Sequence, residues 1–316
     1  MPDAVVATAY ATTADVIDVI PVDGREPGDG EVTLAVRAAA INPFDAKIAA
    51  GALGTDAATL PRRLGSEAAG VITAVGPHAL GLEGEQLAVG DAVYGHRLSG
   101  AQASELTVKA GELLRKPPSL AFEAAAGLLS VGTTAVHALE AVGVAAGDTV
   151  LVHGVAGSVG SLVAQLAALR GATVIGTASP SRHEALRDAG IEPVAYGEGL
   201  AARIRSVAPN GVTAAIDTIG TDEALQASLE FVAPERFVTI VNFGPALAAG
   251  AKAIGSGPGA DRGSEIRAAA RATLNGLAAR GEITVPVATT LPLARAREGY
   301  ALVIDGHAGG KVVLTA

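Results

Sequence analysis

No cysteine occurs anywhere in the 316 residues, and tryptophan is absent too. Without a thiol the chain has no disulfide, no thiolate nucleophile and no thiolate zinc site, whatever compartment it occupies. Phenylalanine and tyrosine are scarce, at five and four residues, so the folding core has to be aliphatic. Positive charge is in deficit: 23 Lys and Arg face 32 Asp and Glu, a net charge of -9. That balance, with no basic run in the chain, argues against a nucleic acid or an anionic membrane surface as partner. No apolar stretch approaches the roughly 20 residues of a membrane span, and the N-terminus lacks the basic start and apolar core of a secretion signal. The expectation is a soluble, cytoplasmic protein with no membrane partner.

What is abundant is glycine, with 40 residues, and nearly half of the chain is hydrophobic. At about 150 residues per domain the length suggests two domains. The rest of the chain is organised around Thr149 to Arg182, TVLVHGVAGSVGSLVAQLAALRGATVIGTASPSR. Thr149 to His153 read as a buried strand, and Gly154, Gly157 and Gly160 punctuate a turn into a helix. Val155 stands where the first glycine of G-x-G-x-x-G would be. The helix starts at Ser158, carries Val159, Leu162, Val163, Leu166 and Leu169 on its buried side, and ends at Arg170 before Gly171, a suitable left-handed residue. Its first N–H groups, at Ser158, Val159 and Gly160, together with the positive end of the helix dipole, make the turn an anion site suited to a dinucleotide pyrophosphate.

A second strand, Thr173 to Ala178, follows at the spacing of a right-handed crossover. An NAD site usually places Asp or Glu at its end, for the ribose 2′-hydroxyl. No acid is there. Ser179, Ser181 and Arg182 instead offer hydroxyls and a guanidinium to a 2′-phosphate, which points to NADPH. Ser-Pro-Ser is also a good helix start, so a capping role for Ser179 stays open.

Before this unit, short alternating runs from Val5 to Ile41, separated by turns such as Asp23-Gly24 and Pro27-Gly28-Asp29-Gly30, predict antiparallel strands. More follow at Gly70 to Val75, Ala92 to Tyr94 and Ala103 to Val108, so residues 1–119 read as a compact β barrel. Lys116-Pro117-Pro118 ends it, and a helical stretch begins at Phe122. After the central unit, helices and strands alternate: strands at Pro193 to Tyr196, Thr213 to Asp217 and Phe237 to Asn242, helices near 182–189, 200–207 and 222–231. The fold class is α/β, a Rossmann doubly wound parallel sheet beside a β-rich domain. Gly244 to Gly263 has no periodicity and reads as a loop or dimer edge. Helices at Ser264 to Ala279 and Pro292 to Ile304, and strands at Ile283 to Ala288 and Lys311 to Leu314, break the alternation. The expected domains are 1–119, 120–256 as the nucleotide-binding part, and 257–316 returning to the first.

Several motifs in order, Asn42-Pro43-Phe44-Asp45-Ala46-Lys47, Leu64-Gly65-Ser66-Glu67, Gly90-Asp91-Ala92-Val93, Gly132-Thr133-Thr134-Ala135, the glycine turn and Gly310-Lys311-Val312-Val313-Leu314, resemble the medium-chain dehydrogenase/reductase superfamily. The resemblance is to its zinc-free quinone oxidoreductase branch, which includes the zeta-crystallins. It implies that the β-rich part is a GroES-like catalytic domain. Ser66 stands where the zinc enzymes of the superfamily carry a histidine ligand. A hydroxyl is a poor substitute on zinc, and His78, His96, His137, His153, His183 and His307 show no close ligand spacing, so no metal is expected. Hydride from NADPH would then pass to an acceptor that is already electrophilic, a quinone or an α,β-unsaturated carbonyl (an enone or enal).

The resemblance further implies Asn42 as an orienting donor near the nicotinamide, with Asp45 and Lys47 beside it. Asp45 and Lys47 read equally well as a structural ion pair. It also implies cofactor contacts at Thr134, Tyr196, Lys311 and the segment Asn242-Phe243-Gly244. A homodimer is expected from the resemblance and from reading Phe237 to Asn242 as an edge strand that must be covered. Two alternatives remain: an enoyl reductase of a biosynthetic pathway, and a non-catalytic, crystallin-like NADPH-binding protein.

Overall fold

The computed structural model describes residues 1–306 and 308–316; His307, one of the six histidines weighed above, lies outside the described residues. The chain forms two compact units, residues 1–130 with 272–316 and residues 131–271. Both divisions fall inside continuous helices, α2 (Phe122–Ala141) and the helix Ser264–Ala279, later than the expected 119/120 and 256/257. The Pro and Gly punctuation marks where elements begin, not where the packing partner changes.

In residues 131–271 six parallel strands stand in the order 192–194, 173–177, 149–153, 214–217, 237–239 and 252–253. Numbered along this unit that is 3-2-1-4-5-6, the order of a dinucleotide-binding sheet. Parallel strands buried on both faces read as continuous apolar runs, and here Val150, Leu151 and Val152 are wholly buried. Their core includes Ile175, Ile204, Ala215 and Phe237. Helix α3 (Ser158–Leu169) buries Leu162, Val163 and Leu166. Leu169, expected on the same face, is 49% exposed; it is the last helical residue, at the end where α3 breaks into Gly171 at φ +80°.

Two expectations are corrected here. The segment 244–263 is not featureless: it holds most of the helix Phe243–Ala248 and the strand Lys252–Ala253. That strand pairs with 237–239 in register Val238 to Lys252, so 237–239 is interior and not the sheet edge. Short elements rich in alanine and glycine lack the side-chain contrast on which periodicity depends. The other correction concerns α2, which by length and composition alone is apolar enough to cross a bilayer. Its apolar side chains are taken up by the protein itself, with Leu128, Leu129, Ala135 and Leu139 at 1% exposure or less.

In the other unit the long strand Glu31–Ile41 is the organiser. It pairs antiparallel with Glu67–Val75, with Glu105–Lys109 along its first half and with Lys311–Thr315 along its second. The register sets Val312 opposite Ile41 and Ala68 opposite Ala39. One step further along each strand, Asn42, Lys311 and Glu67 therefore arrive at the same end of three neighbouring strands. Two shifts in register against Glu67–Val75, at Thr33/Leu34 and Val36/Ala38, bend the sheet there. The C-terminal helix Ala296–Ile304 drops Tyr300 into a cluster with Ile17, Ile41, Leu64 and Val312.

Phe237, wholly buried on the strand beside the edge strand Lys252–Ala253, is the largest buried side chain of the core cluster of this unit. Phe237→Ala should destabilise the protein by about 3–5 kcal/mol through lost burial and the cavity left behind. A shift of the urea midpoint corresponding to less than about 1 kcal/mol would mean that this cluster is not the folding core.

Candidate functional site

In residues 131–271 the strand ends assemble a cradle around the glycine turn. Gly154 adopts φ +74°. A Cβ on Gly160 would lie 2.3 Å from the Gly154 carbonyl oxygen and 2.8 Å from Val155 Cα, so strand and helix approach too closely for any side chain. Val155 is wholly buried, and its side chain fills the space where a Cβ on Gly176 would lie at 2.3 Å. The departure from G-x-G-x-x-G is thus compensated by a glycine on the next strand. The turn is tied down by Gly154 N–H donating to Thr177 Oγ1 (3.1 Å) and by Thr218 Oγ1 donating to the His153 carbonyl (2.7 Å). Helix α3 is capped by Gly157, which has no side chain to offer. The first-turn N–H groups of Ser158, Val159 and Gly160 have no carbonyl partner inside the helix, and with the dipole behind them they suit an anion.

His153 lies under this turn and is a satisfied core histidine. Ser228 Oγ donates to the Ala224 carbonyl (2.7 Å), so at 3.0 Å from His153 Nε2 it must accept. Nδ1 is then the acceptor, facing Thr177 Oγ1 at 3.4 Å. Burial lowers its pKa to about 4, against the opposing charges of Asp217 and Glu223; the ring is neutral.

At the end of strand Thr173–Thr177, the side chain of Ser179 makes no capping bond and lies 3.1 Å from Ser181 Oγ. Arg182 is exposed and has no ion pair among the described residues. The capping alternative for Ser179 is therefore not realised. Tyr196, expected as the last residue of a strand from Pro193, lies beyond the observed strand Glu192–Val194 and is 60% exposed. Arg203 donates to the carbonyls of Ala195 (2.9 Å), Gly197 (2.7 Å) and Glu198 (2.7 Å), and Glu223 accepts the Gly197 N–H at 3.1 Å. Asp217, wholly buried, accepts the N–H groups of Ile219 and Gly220 (both 2.9 Å) and the Thr239 hydroxyl (2.8 Å). Thr239 Oγ1 in turn accepts the N–H of Asn242 at 3.1 Å, which fixes the segment Asn242-Phe243-Gly244. None of Arg203, Glu223 and Asp217 was singled out from sequence, since each binds backbone and no motif spacing announces that. Thr134 is already engaged, accepting from Arg267 Nη1 at 2.9 Å. A depression of about 460 Å³ lies at the opposite, amino ends of the strands, lined by Thr149, Thr173 and Glu192, away from the cradle.

In the other unit, Asn42, Asp45 and Lys311 come together with Glu67, and Lys47 does not join them. Helix α1 (Pro43–Ala49) begins with proline, and Asp45 Oδ2 accepts the Asn42 backbone N–H at 2.8 Å. Asp45 is wholly buried and its Oδ1 has no partner among the described residues. Burial raises its pKa to about 7, opposed by the Asn42 N–H and reinforced by the charge of Glu67. Lys47 is exposed and makes no ion pair with Asp45 among the described residues: residues two apart point to different sides of a helix. Lys311, 3% exposed, donates to Glu67 Oε1 at 2.6 Å and to Asn42 Oδ1 at 2.5 Å, and Asn42 Nδ2 donates to Glu67 Oε1 at 3.1 Å. Glu67 closes the motif Leu64-Gly65-Ser66-Glu67. Its signal in the sequence was a carboxylate entering an otherwise apolar strand.

With this geometry in hand, residues 28–117 match the family described as Alcohol dehydrogenase GroES-like domain, and residues 158–272 that described as Zinc-binding dehydrogenase. Over 91% of the chain there is 33% identity to phthioceranic/hydroxyphthioceranic acid synthase from Mycobacterium tuberculosis, of which the match covers 14%. The chain spans between about a tenth and a half of the length of the curated relatives it matches. A mycobacterial quinone oxidoreductase is 28% identical over the whole of both chains, with a TM-score of 0.79. A mycobacterial protein complexed with NADPH is also 28% identical over both whole chains, with a TM-score of 0.83. Although one description names zinc, the chain has no cysteine, and no three His, Asp or Glu among the described residues are grouped to hold a metal.

Two buried groups, His153 and Asp45, make opposite contributions to stability between pH 7 and 4. His153 falls from 6.5 to about 4 on folding, so below pH 6.5 the unfolded chain takes the proton first and stability drops on acidification. Asp45 rises from 3.8 to about 7, so between these values the folded chain holds the proton and stability grows on acidification. In Asp45→Asn the carboxyl that opposes the histidine effect is gone. Between pH 6.5 and 4 this variant should lose stability more steeply than the wild type, by up to about 1.4 kcal/mol per pH unit. Parallel profiles of urea midpoint against pH would contradict the assignment.

Proposed function

Because the chain belongs to the medium-chain dehydrogenase/reductase superfamily, in its zinc-free quinone oxidoreductase branch, we propose that it is an NADPH-dependent reductase of quinones or α,β-unsaturated carbonyls. The observation that carries this reading is the glycine cradle beside Ser179 and Arg182, with no acid at the strand end. The residues present fit the group. Glycines leave the close approach a pyrophosphate needs, α3 offers uncapped N–H groups, and an exposed guanidinium has no competing ion pair among the described residues.

NADPH, when bound, supplies the hydride. The chain's own residues bind it at Gly154, Gly157, Ser158, Val159 and Gly160, hold its 2′-phosphate with Ser179, Arg182 and Tyr196, and flank it with Thr134 and Asn242-Phe243-Gly244. The acceptor of this reading is already electrophilic, a quinone or the β-carbon of an enone or enal. Asn42 donates its amide N–H to the oxygen that becomes negative. Lys47, exposed on α1, offers charge and a proton for the resulting enolate or quinol anion. Asp45 holds the start of that helix. The likeness to an acid synthase over 91% of the chain favours a second reading within the same chemistry, an enoyl reductase of a biosynthetic pathway. A homodimer remains part of the proposal on family grounds alone, since the interior position of 237–239 removes its edge-strand argument.

Steady NADPH oxidation dependent on 1,4-benzoquinone or 2-hexenal tests the reading, and turnover with neither would refute it. Arg182→Ala should weaken NADPH binding by on the order of 1.5 to 3 kcal/mol while leaving NADH binding nearly unchanged, because a charge-assisted bond to the 2′-phosphate is lost. Equal losses for both cofactors would remove Arg182 from the phosphate site.

A further inference from the structure

The amide of Asn42 sits between two partners of opposite charge. Lys311 Nζ donates to its Oδ1, and its Nδ2 donates to Glu67 Oε1. An asparagine amide is nearly symmetric in shape, so only its partners decide which end is oxygen and which is nitrogen. Turned over, it would set N–H groups against an ammonium and a carbonyl oxygen against a carboxylate. Both contacts would be repulsive in a place where Asn42 is 5%, Lys311 3% and Glu67 1% exposed. One orientation therefore excludes the other.

The two partners are themselves anchored. Glu67 Oε2 accepts the backbone N–H of Ser130 at 3.0 Å, so the carboxylate is held at both oxygens. Lys311 runs past Gly127 in α2, where a Cβ would meet its Cγ at 3.0 Å and its Cε at 3.4 Å. Glycine is disfavoured in a helix interior relative to alanine; at this position the missing side chain leaves the path of the lysine stem open.

We propose that Lys311 and Glu67 are positioning residues for Asn42: they fix which end of its amide donates and polarise it toward donation. The ammonium on Oδ1 draws electron density from the amide, which strengthens its N–H as a donor. Nδ2 carries two hydrogens and Glu67 takes one, so the other is the one offered to the reacting oxygen. The pair carries no net charge, and neither member has to touch the acceptor. This assignment rests on the reading of Asn42 as the oxyanion donor.

Single variants leave a buried charge unpaired and are expected to be unstable, so the test uses Lys311→Met/Glu67→Gln, which removes both charges. Asn42→Ala is made in the wild type and in this double variant. NADPH dissociation constants, kcat with 1,4-benzoquinone, and the side-chain amide signals of Asn42 in ¹⁵N-labelled protein are measured. In the double variant kcat at saturating NADPH should fall tenfold or more. Adding Asn42→Ala to it should cost little further, because the two changes remove the same interaction. The two Asn42 amide protons, held far apart in shift by the carboxylate on one of them, should move together. Wild-type kcat in the double variant, an equal loss from Asn42→Ala in both backgrounds, or unchanged amide signals would each overturn the proposal. If the wild type turns over neither a quinone nor an enal, it is the proposed function that fails. The amide signals then decide alone whether the pair fixes Asn42.

Discussion

A charge buried away from water must be paired, and in the unit built on residues 1–130 that requirement ties together the ends of three strands and one helix. Lys311 and Glu67 are 244 residues apart in sequence and 2.6 Å apart in space, with Asn42 and the Ser130 N–H completing the set. Breaking such a pair costs about 3–5 kcal/mol, yet replacing both members by well-packed apolar side chains is often neutral or stabilising. Stability alone does not account for keeping it. What the pair provides is a single orientation of a neighbouring amide, and the strand register, with Val312 opposite Ile41, delivers its members to the same place.

The parallel-sheet unit depends on a constraint of a different kind, the separation of a strand and a helix that touch backbone to backbone. Gly160 and Gly154 allow the contact, and Val155 with Gly176 show that the requirement is on volume, not on a fixed motif. Around this contact, hydrogen bonds to backbone hold the loops at the strand ends. Arg203 holds the Tyr196 loop, Asp217 and Thr239 hold the next two, and Thr177 holds the glycine turn. A cofactor site of this kind needs few residues of its own when the scaffold is already fixed.

The parts of this architecture that were legible in the sequence are those written in local contrast. The alternation of β-branched runs with glycine turns and helices is short-range, and so was the absence of an acid after Thr177. Phe243–Ala248 and Lys252–Ala253 were missed because alanine and glycine give little contrast between faces. The apolar character of α2 was missed because a span of 20 residues is interrupted by glycine, serine and threonine, which break a run to the eye without making it polar. The Asn42–Glu67–Lys311 network was not legible as a unit, since its members were noted separately and only the strand register joins them. Lys47 was placed beside Asp45 by proximity in sequence, and helix geometry separates them.

The proposed function comes down to one chemical statement, that hydride passes directly from NADPH to an electrophilic acceptor. The most direct measurement is to supply NADPH carrying deuterium at C4, on each face in turn, with 2-hexenal, and to analyse the product by mass spectrometry. The account predicts a saturated aldehyde with one deuterium on its β-carbon, from one face of the cofactor only. A product without deuterium from either face, or an aldehyde recovered unreduced in the presence of bound cofactor, with 1,4-benzoquinone likewise unreduced, would contradict it.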